Sequence, residues 1–240
     1  MSIIIRAPAI VEQVTKHTSE VCSLVLKPQK RIPKFKSGQF LHLALDSYDP
    51  SYQWPESRVF SIANSPTRRE KIKIIFATKG KFTKRMYNEI SEGDTIWIKL
   101  PYGNFSFDED DKNIVLIAGG TGITPYLAFL EYAIDNKLDS KIKLFYGVKS
   151  QELILFEKII SECIMSLPNF EKSIYLEDIN NSNTQFNSGK LNIKKILNSI
   201  DNRENSVFYL SGPVNMVNNF QSYLIDNYIN ENQIRIDKWE

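Results

Sequence analysis

Cysteine and histidine are scarce in this 240-residue sequence, with two of each. Cys22 and Cys163 both fall in apolar, periodic segments, so two buried thiols are a better interpretation than a disulfide. Two cysteines also cannot supply the four thiolates of an ordinary iron–sulfur cluster. With only His17 and His42 in addition, we expect a protein from a reducing compartment that has no dedicated metal site.

Long hydrophobic runs and an excess of one charge are lacking as well. No segment approaches the roughly 20 apolar residues that span a bilayer. The N-terminal run Ser2–Ile5, which Arg6 and Pro8 interrupt, is far shorter than the apolar core of a signal peptide. Thirty Lys and Arg side chains stand against 28 Asp and Glu, whereas non-specific nucleic-acid binders are usually far more basic. We therefore expect a cytoplasmic protein with no membrane span and no nucleic-acid partner.

The first hundred residues show the period-two alternation of apolar side chains that is typical of half-buried strands. Clusters of Pro, Gly, Asp and Ser separate these runs, which favours an antiparallel barrel or sandwich. Thr83–Ile90 has the pattern of one inserted helix. The apolar runs are Cys22–Leu26, Leu41–Leu45, Ile72–Phe76 and Ile96–Leu100.

The second half of the sequence alternates strand and helix patterns, which predicts a parallel sheet with helices on both faces. An acidic run at residues 108–112, interpreted as a solvated linker, separates the halves. The sequence thus predicts an antiparallel β-barrel domain over residues 1–107 and an α/β domain over residues 113–240. The predicted strands are Ile114–Ala118, Lys141–Val148, Ser173–Leu176 and Val207–Leu210, and the predicted helices are Ile123–Asn136, Gln151–Ile164, Leu191–Ile200 and Pro213–Tyr228.

A glycine-rich turn at residues 119–125 follows the first predicted parallel strand. Glycine permits a sharp turn and the close approach of a ligand, Thr124 and Pro125 suit the start of a helix, and a helix N-terminus can seat a pyrophosphate. Ser211-Gly212-Pro213 and the segment 146–149 end two other strands at the same carboxyl edge, where open sheets bind ligands. We interpret this edge as a dinucleotide site. Its candidate residues are Gly120, Thr121, Gly122, Thr124, Gly147, Lys149, Glu177, Gly212, Pro213 and Met216.

Polar side chains interrupt the barrel pattern at residues 58–61. An arginine suits a phosphate, an aromatic ring can stack on a flat ring system, and a hydroxyl can bond the edge of that ring system. Residues 80–83 open the inserted helix, whose first N–H groups suit a second phosphate contact. Together these segments predict a flavin diphosphate on the barrel. The candidate residues are Arg58, Val59, Phe60, Ser61, Gly80, Lys81, Phe82 and Thr83.

These motifs resemble those of the ferredoxin–NADP reductase superfamily over essentially the whole chain. Phe60 stands where that family usually has tyrosine, and Ser211 stands where it usually has cysteine. The matching segments are Arg58-x-Phe60-Ser61 for the flavin, Gly80–Thr83 for the phosphate, Pro101–Phe105 at the barrel exit, Gly119–Pro125 for the nicotinamide dinucleotide, Ser211–Pro213, and the acid-x-aromatic ending Asp237–Trp239.

The resemblance implies an oxidoreductase with FAD and NAD(P)H as cofactors, FMN remaining an alternative to FAD, and hydride transfer from the nicotinamide to flavin N5. It implies that Ser61 bonds the flavin edge, that Ser211 and Thr124 line the nicotinamide, and that Asp237 is a polar neighbour. Trp239 either covers the flavin face until the nicotinamide displaces it or anchors the terminus. The implied acceptor is a ferredoxin, a flavodoxin, an oxygenase component or a small molecule. The alternatives are a flavin-carrying electron-transfer subunit that does not itself oxidise NAD(P)H, and a nucleotide-binding module with an empty barrel.

The choice between NADH and NADPH depends on the residues near the ribose 2′ position. Glu177 and Asp178 follow the third predicted parallel strand, where NADPH-using relatives tend to place Ser and Arg. A carboxylate there suits a 2′-hydroxyl and repels a 2′-phosphate. Lys149 is the opposing cation, with a solvated loop lysine as its alternative interpretation. We therefore expect a modest preference for NADH.

Overall fold

The computed structural model describes residues 3–178 and 185–237. It contains two compact units, the first made of Met1–Ser106 with Leu127–Tyr132 and the second of Phe107–Tyr126 with Ala133–Glu240. The domain limits predicted from the sequence stay predictions. The compact units differ from them in assigning Phe107 to the second unit and residues 127–132 to the first. None of the helices among the described residues is long and apolar enough to cross a membrane.

The first unit is a six-stranded antiparallel sheet with the strand order β4-β3-β6-β1-β2-β5. Its outer strands β4 and β5 also contact each other, which makes the sheet a near-barrel. The predicted antiparallel barrel is confirmed, and its inserted helix begins two residues before the predicted start. The elements are β1 Ile5–Lys16, β2 Val21–Pro28, β3 Phe40–Ala44, β4 Ser57–Ser61, β5 Ile72–Ala77, α1 Lys81–Glu89 and β6 Thr95–Tyr102.

The core of this unit is filled by the inward-facing side chains of the strands. Because successive residues of a strand point to opposite faces, the alternating apolar residues of β2, β3 and β6 all reach the inside, and they are 0–2% exposed. Each such side chain contributes about 1.5–3 kcal/mol through its burial. The side chains are Leu24 and Leu26, Leu41 and Leu43, and Ile96 and Ile98. Strand β4 breaks the alternation at its end, where Phe60 and Ser61 are both buried.

The second unit is a six-stranded parallel sheet with the order β10-β9-β8-β7-β11-β12, as predicted from the alternation of strands and helices. Strand β7 lies between β8 and β11, so the strand order reverses at β7. The strands are β7 Asn113–Gly119, β8 Lys141–Val148, β9 Phe170–Leu176, β10 Asn187–Ser188, β11 Ser206–Ser211 and β12 Ile234–Ile236. The helices are α2 Thr124–Asn136, α3 Glu157–Ser166, α4 Ile193–Asn198 and α5 Val214–Asp226.

The continuous helix predicted over residues 151–164 is wrong in its first part. The chain forms a 3₁₀ turn at Gln151–Leu153, leaves helical geometry at Ile154, and enters α3 only after Phe156, which has a left-handed φ of 61°. The Tyr146 hydroxyl donates a hydrogen bond to the Leu153 carbonyl at 3.2 Å. This tertiary bond satisfies a carbonyl that a continuous helix would have used, and sequence periodicity cannot reveal it.

The acidic run after the barrel is not purely a solvated linker. Asp108–Asp110 are exposed, but the Tyr209 hydroxyl donates a hydrogen bond to the Asp111 carboxylate at 2.8 Å. The Phe107 ring stacks on Tyr209 with 4.5 Å between ring centroids. Burial and the Asp111 carboxylate raise the pKa of Tyr209 above its usual range, so its hydroxyl remains a donor at neutral pH. The run is therefore tied to β11 of the second unit.

Candidate functional site

Three strand ends meet at the carboxyl edge of the parallel sheet. Ser211 at the end of β11 pairs in register with Ala118, and Gly119 at the end of β7 pairs with Gly147 of β8. Because the strand order reverses at β7, this edge is a topological switch point, where open α/β sheets bind ligands. The structure thus brings together the turns that the sequence interpretation assigned to one dinucleotide site.

The glycines of the first turn have two different roles. A Cβ atom on Gly122 would lie 2.5 Å from the Ser211 carbonyl oxygen, so the two turns pack backbone against backbone. Gly120 has a left-handed φ of 54°, and a Cβ there would meet no described atom within 4 Å. Pro213 and Met216 lie over Gly119, at 2.9 and 3.0 Å from where its Cβ would be. The turn is therefore closed toward β11 and open at Gly120.

The start of α2 differs from the predicted cap. Thr124 Oγ1 donates a hydrogen bond to the Thr121 carbonyl at 2.7 Å instead of capping the helix. The residue before α2 is Ile123, whose side chain cannot cap the helix and makes no capping hydrogen bond. The predicted capping by Thr124 is thus wrong. Residues Gly120–Ile123 form a 3₁₀ turn that runs directly into α2, and the Thr124 N–H donates to the Thr121 carbonyl. The N–H groups that have no intrahelical acceptor are therefore those at the start of this turn, and they are the donors that it offers to an anionic ligand.

A buried hydroxyl–carboxylate pair lies at the end of β11. Ser211 is 0% and Asp237 is 8% exposed, and Ser211 Oγ donates a hydrogen bond to Asp237 Oδ2 at 2.9 Å. The Asp237 N–H donates to the Leu210 carbonyl at 3.0 Å, which extends the β11–β12 pairing by one bond. Burial raises the pKa of Tyr126 well above its usual range, and the Asp237 charge raises it further. Because the Asp237 carboxylate accepts the hydrogen bond of Ser211 Oγ, it fixes the orientation of the Ser211 hydroxyl.

One predicted member of the dinucleotide site has other surroundings, and one predicted flavin neighbour lies outside the described residues. Gly147 is closely packed, since a Cβ on it would lie 2.7 Å from Leu191 Cγ. Trp239 lies outside the described residues. The stacking role predicted for Trp239 stays a prediction.

Lys190 is a charged residue of this edge that sequence reasoning missed. Its Nζ lies 3.4 Å from Glu177 Oε2, and the two side chains are 80% and 37% exposed. The contact depends on the two-residue strand β10, in which Ser188 pairs with Leu176 of β9. So short a strand leaves no periodic signal in the sequence.

On the barrel, the two segments assigned to flavin phosphates are in contact. The Arg58 guanidinium carbon lies 5.2 Å from the centroid of the Phe82 ring in α1, within cation–π range. The guanidinium also donates to Glu56 Oε1 at 2.8 Å and to the Ser57 carbonyl at 2.9 Å, while the side chain stays 52% exposed. These contacts hold the cation beside the start of α1 and leave part of it accessible to an anion.

The start of α1 is open in the way that a phosphate requires. Thr83 Oγ1 accepts hydrogen bonds from the N–H groups of Lys79 and Gly80 at 3.0 and 3.1 Å, which fixes the turn. A Cβ on Gly80 would meet no described atom within 4 Å. Lys81 is exposed, and the first N–H groups of the helix lack intrahelical acceptors. An anion at this position would meet helix N–H donors and the Arg58 guanidinium.

The end of β4 contains a hydroxyl group without a partner. Ser61 is 2% exposed, and among the described residues its Oγ has no hydrogen-bond partner. A buried polar group left in this state costs about 1–3 kcal/mol, and the N–H or heteroatom edge of a flavin would satisfy it. Val59, which lies in β4 with Ser61, pairs with His42 of β3. Phe60 is 7% exposed and packs edge-on to Phe76 at 6.0 Å, so most of its ring lies in the core, and its flavin stacking stays a prediction.

Comparison with known proteins decides the family. Residues 7–130 match the FAD-binding domain family, and residues 116–222 match the oxidoreductase NAD-binding domain family. The chain belongs to the oxidoreductases that carry these two domains. The predicted superfamily and the predicted cofactors, FAD and a nicotinamide dinucleotide, are confirmed for these domains. The unpartnered Ser61 hydroxyl and the open start of α1 fit FAD, and the open turn at Gly120 fits the dinucleotide.

Three similar proteins illustrate the range of this family. Sulfhydrogenase 2 subunit gamma of Pyrococcus furiosus is 41% identical over 140 residues, which are 58% of this chain and 44% of that one. Oxidoreductase NAD-binding domain-containing protein 1 of Pongo abelii is 30% identical over 231 residues, 85% of this chain and 70% of that one. The cytochrome P450 reductase GcoB of Amycolatopsis shares the fold, with a TM-score of 0.85 at 18% identity, over 99% of this chain and 71% of that one. The chain spans about half the length of most of the curated relatives it matches.

Proposed function

We propose that this chain moves a hydride from NAD(P)H to FAD and passes the electrons on to a redox protein. The observation that carries the proposal is the presence of an FAD-binding and an NAD-binding domain on one chain. Bound FAD supplies a centre that takes up two electrons as a hydride and releases them singly or in pairs. The residues of the chain bind and orient the two cofactors.

On the barrel, charge and a buried hydroxyl bind the flavin. Arg58 and the N–H groups at the start of α1 bind the diphosphate, which places charge-assisted bonds between the flavin and adenosine halves of the cofactor. The Ser61 hydroxyl bonds the edge of the ring system and gains the partner that it otherwise lacks. These residues thereby hold the cofactor at its diphosphate and at its flavin ring system.

At the sheet edge, the chain seats the dinucleotide and orients its reacting ring. The open 3₁₀ turn that begins at Gly120 binds the pyrophosphate through its first N–H groups. Ser211 lines the nicotinamide, with its hydroxyl held by Asp237. Holding the reacting groups in one geometry is the main contribution that a protein makes to such a transfer. Glu177 favours the 2′-hydroxyl of NADH, so NADH is the preferred donor by a modest factor.

The acceptor is proposed from the relatives. The name of the Amycolatopsis relative identifies a reductase of a cytochrome P450, which favours a redox protein over a small molecule. The name of the Pyrococcus furiosus relative identifies a subunit of a sulfhydrogenase. That likeness favours, as a second candidate, a flavin-carrying subunit that passes electrons within a larger complex.

One experiment separates these functions. The purified protein is examined for visible flavin absorbance and is then mixed with NADH or NADPH under anaerobic conditions. Loss of the oxidised-flavin absorbance with either dinucleotide supports the proposed function. Bound flavin that neither dinucleotide reduces favours the electron-transfer subunit, and a protein that binds no flavin on addition of FAD overturns both.

A further inference from the structure

The carboxyl ends of β8, β9 and β10 form a compact group of opposite charges. The Glu177 N–H donates to the Val148 carbonyl at 3.1 Å, and the Asp178 N–H donates to the Lys149 carbonyl at 2.8 Å. The end of β8 thus carries a lysine beside the two acids that follow β9. Lys190 follows β10, on the other side of β9, and forms an ion pair with Glu177.

The position of Lys190 is fixed by backbone rather than by its own flexible side chain. The Gly189 N–H donates to the Leu176 carbonyl at 2.7 Å, and Gly189 has a left-handed φ of 91°. The chain therefore turns directly after β10 and brings residue 190 beside the residue that follows Leu176. The side chain of Lys190 remains 80% exposed, so its ammonium is free to exchange one anionic partner for another.

The ion pair changes the charge that a ribose 2′ group meets. Glu177 alone would repel a 2′-phosphate and accept a hydrogen bond from a 2′-hydroxyl. With Lys190 beside it, the local charge of the pair is zero, and the ammonium offers a donor to a phosphate. An exposed ion pair contributes little free energy, so its rearrangement toward a ligand costs little.

We propose that Lys190 is a specificity-determining residue for the dinucleotide, an inference that rests on the proposed function. With NADH, the 2′-hydroxyl donates to Glu177 and the pair stays intact. With NADPH, the ammonium of Lys190 leaves Glu177 and binds the 2′-phosphate. Lys190 thereby reduces the discrimination that Glu177 exerts against NADPH.

A binding measurement tests this without any redox reaction. Wild type and Lys190→Gln are titrated calorimetrically with 2′,5′-ADP and with 5′-ADP. The matched control is Lys194→Gln, since Lys194 is an exposed lysine of the neighbouring helix α4. We expect Lys190→Gln to weaken 2′,5′-ADP binding about fivefold and to change 5′-ADP binding by less than about twofold, as for one exposed charge contact. Lys194→Gln should change neither.

Kinetic measurements extend the test to the cofactors themselves. The ratio of kcat/KM for NADH to that for NADPH should rise in Lys190→Gln and fall in Glu177→Gln. Equal weakening of 2′,5′-ADP and 5′-ADP in Lys190→Gln, no change in either, or failure of wild type to bind 2′,5′-ADP would each overturn the role of Lys190. If wild type binds 2′,5′-ADP but neither cofactor reduces its flavin, the proposed function fails while the titration still decides the role of Lys190.

Discussion

Removal of the Ser61 hydroxyl is expected to change stability in opposite directions with and without FAD. In the flavin-free protein this buried oxygen has no partner among the described residues, and such a group costs about 1–3 kcal/mol. Ser61→Ala relieves that cost, so we expect the flavin-free variant to be more stable by about 1 kcal/mol, a rise in Tm of about 2–4 °C for a protein of this size. In the FAD complex the same change removes a hydrogen bond worth about 1 kcal/mol.

The two effects combine in the affinity for FAD. Stabilisation of the free form and destabilisation of the complex add to about 2 kcal/mol, which raises the Kd for FAD about 30-fold. The assay is thermal unfolding of the flavin-free and FAD-saturated proteins, together with a fluorescence titration of FAD.

Ser65→Ala is the matched control for this prediction. Ser65 is also fully buried in the first unit, but its Oγ bonds Thr67 Oγ1 at 2.7 Å. Its loss should lower Tm with and without FAD. If Ser61→Ala lowers the Tm of the flavin-free protein as Ser65→Ala does, the hydroxyl has another partner and the reasoning is refuted.

Three further changes test the remaining parts of the site. Arg58→Ala should raise the Kd for FAD tenfold or more, since a charge-assisted bond contributes about 1.5–3 kcal/mol. The control Arg85→Ala breaks only exposed ion pairs of α1 and should leave the Kd unchanged. Equal effects of the two changes would contradict the phosphate role of Arg58. Ser211→Leu should slow flavin reduction by NAD(P)H in stopped-flow experiments while FAD stays bound, and an unchanged rate would exclude Ser211 from the nicotinamide site. Wild type should prefer NADH by only several-fold, because one exposed charge contact contributes about 1 kcal/mol. A Glu177→Ser, Asp178→Arg double variant should move the kcat/KM ratio toward NADPH. A wild-type preference for NADPH would contradict this prediction.

The elements that the sequence predicted well are those with long periodic patterns. Strands β2, β3 and β6 are buried mainly on one face, which gives alternating apolar residues. Strand β7 is buried on both faces, which gives a continuous apolar run. These patterns were sufficient for the two-domain architecture and for the edge of the sheet where the turns meet. Local chemistry also singled out Arg58 and Ser61 within a strand, and their flavin contacts stay predictions.

The features that escaped prediction depend on contacts between distant residues. Ser211 and Asp237 were each singled out, but their hydrogen bond requires the three-residue strand β12 to pair with β11. Lys190 reaches Glu177 only through the two-residue strand β10. Strands this short have no period to detect. The break before α3 likewise depends on a left-handed Phe156 inside an apolar pattern that reads as helix.

The backbone contact between the two glycine turns has a consequence for how the site can vary. Because Gly122 lies against the Ser211 carbonyl, a methyl group at residue 122 would push on the very residue whose hydroxyl bonds Asp237. The turn that we propose for the pyrophosphate and the residue that we propose for the nicotinamide are thus in direct backbone contact, so that a displacement of one displaces the other. Substitutions at residue 122 should therefore alter both the rate of hydride transfer and the affinity for the dinucleotide, without any contact between residue 122 and the nicotinamide.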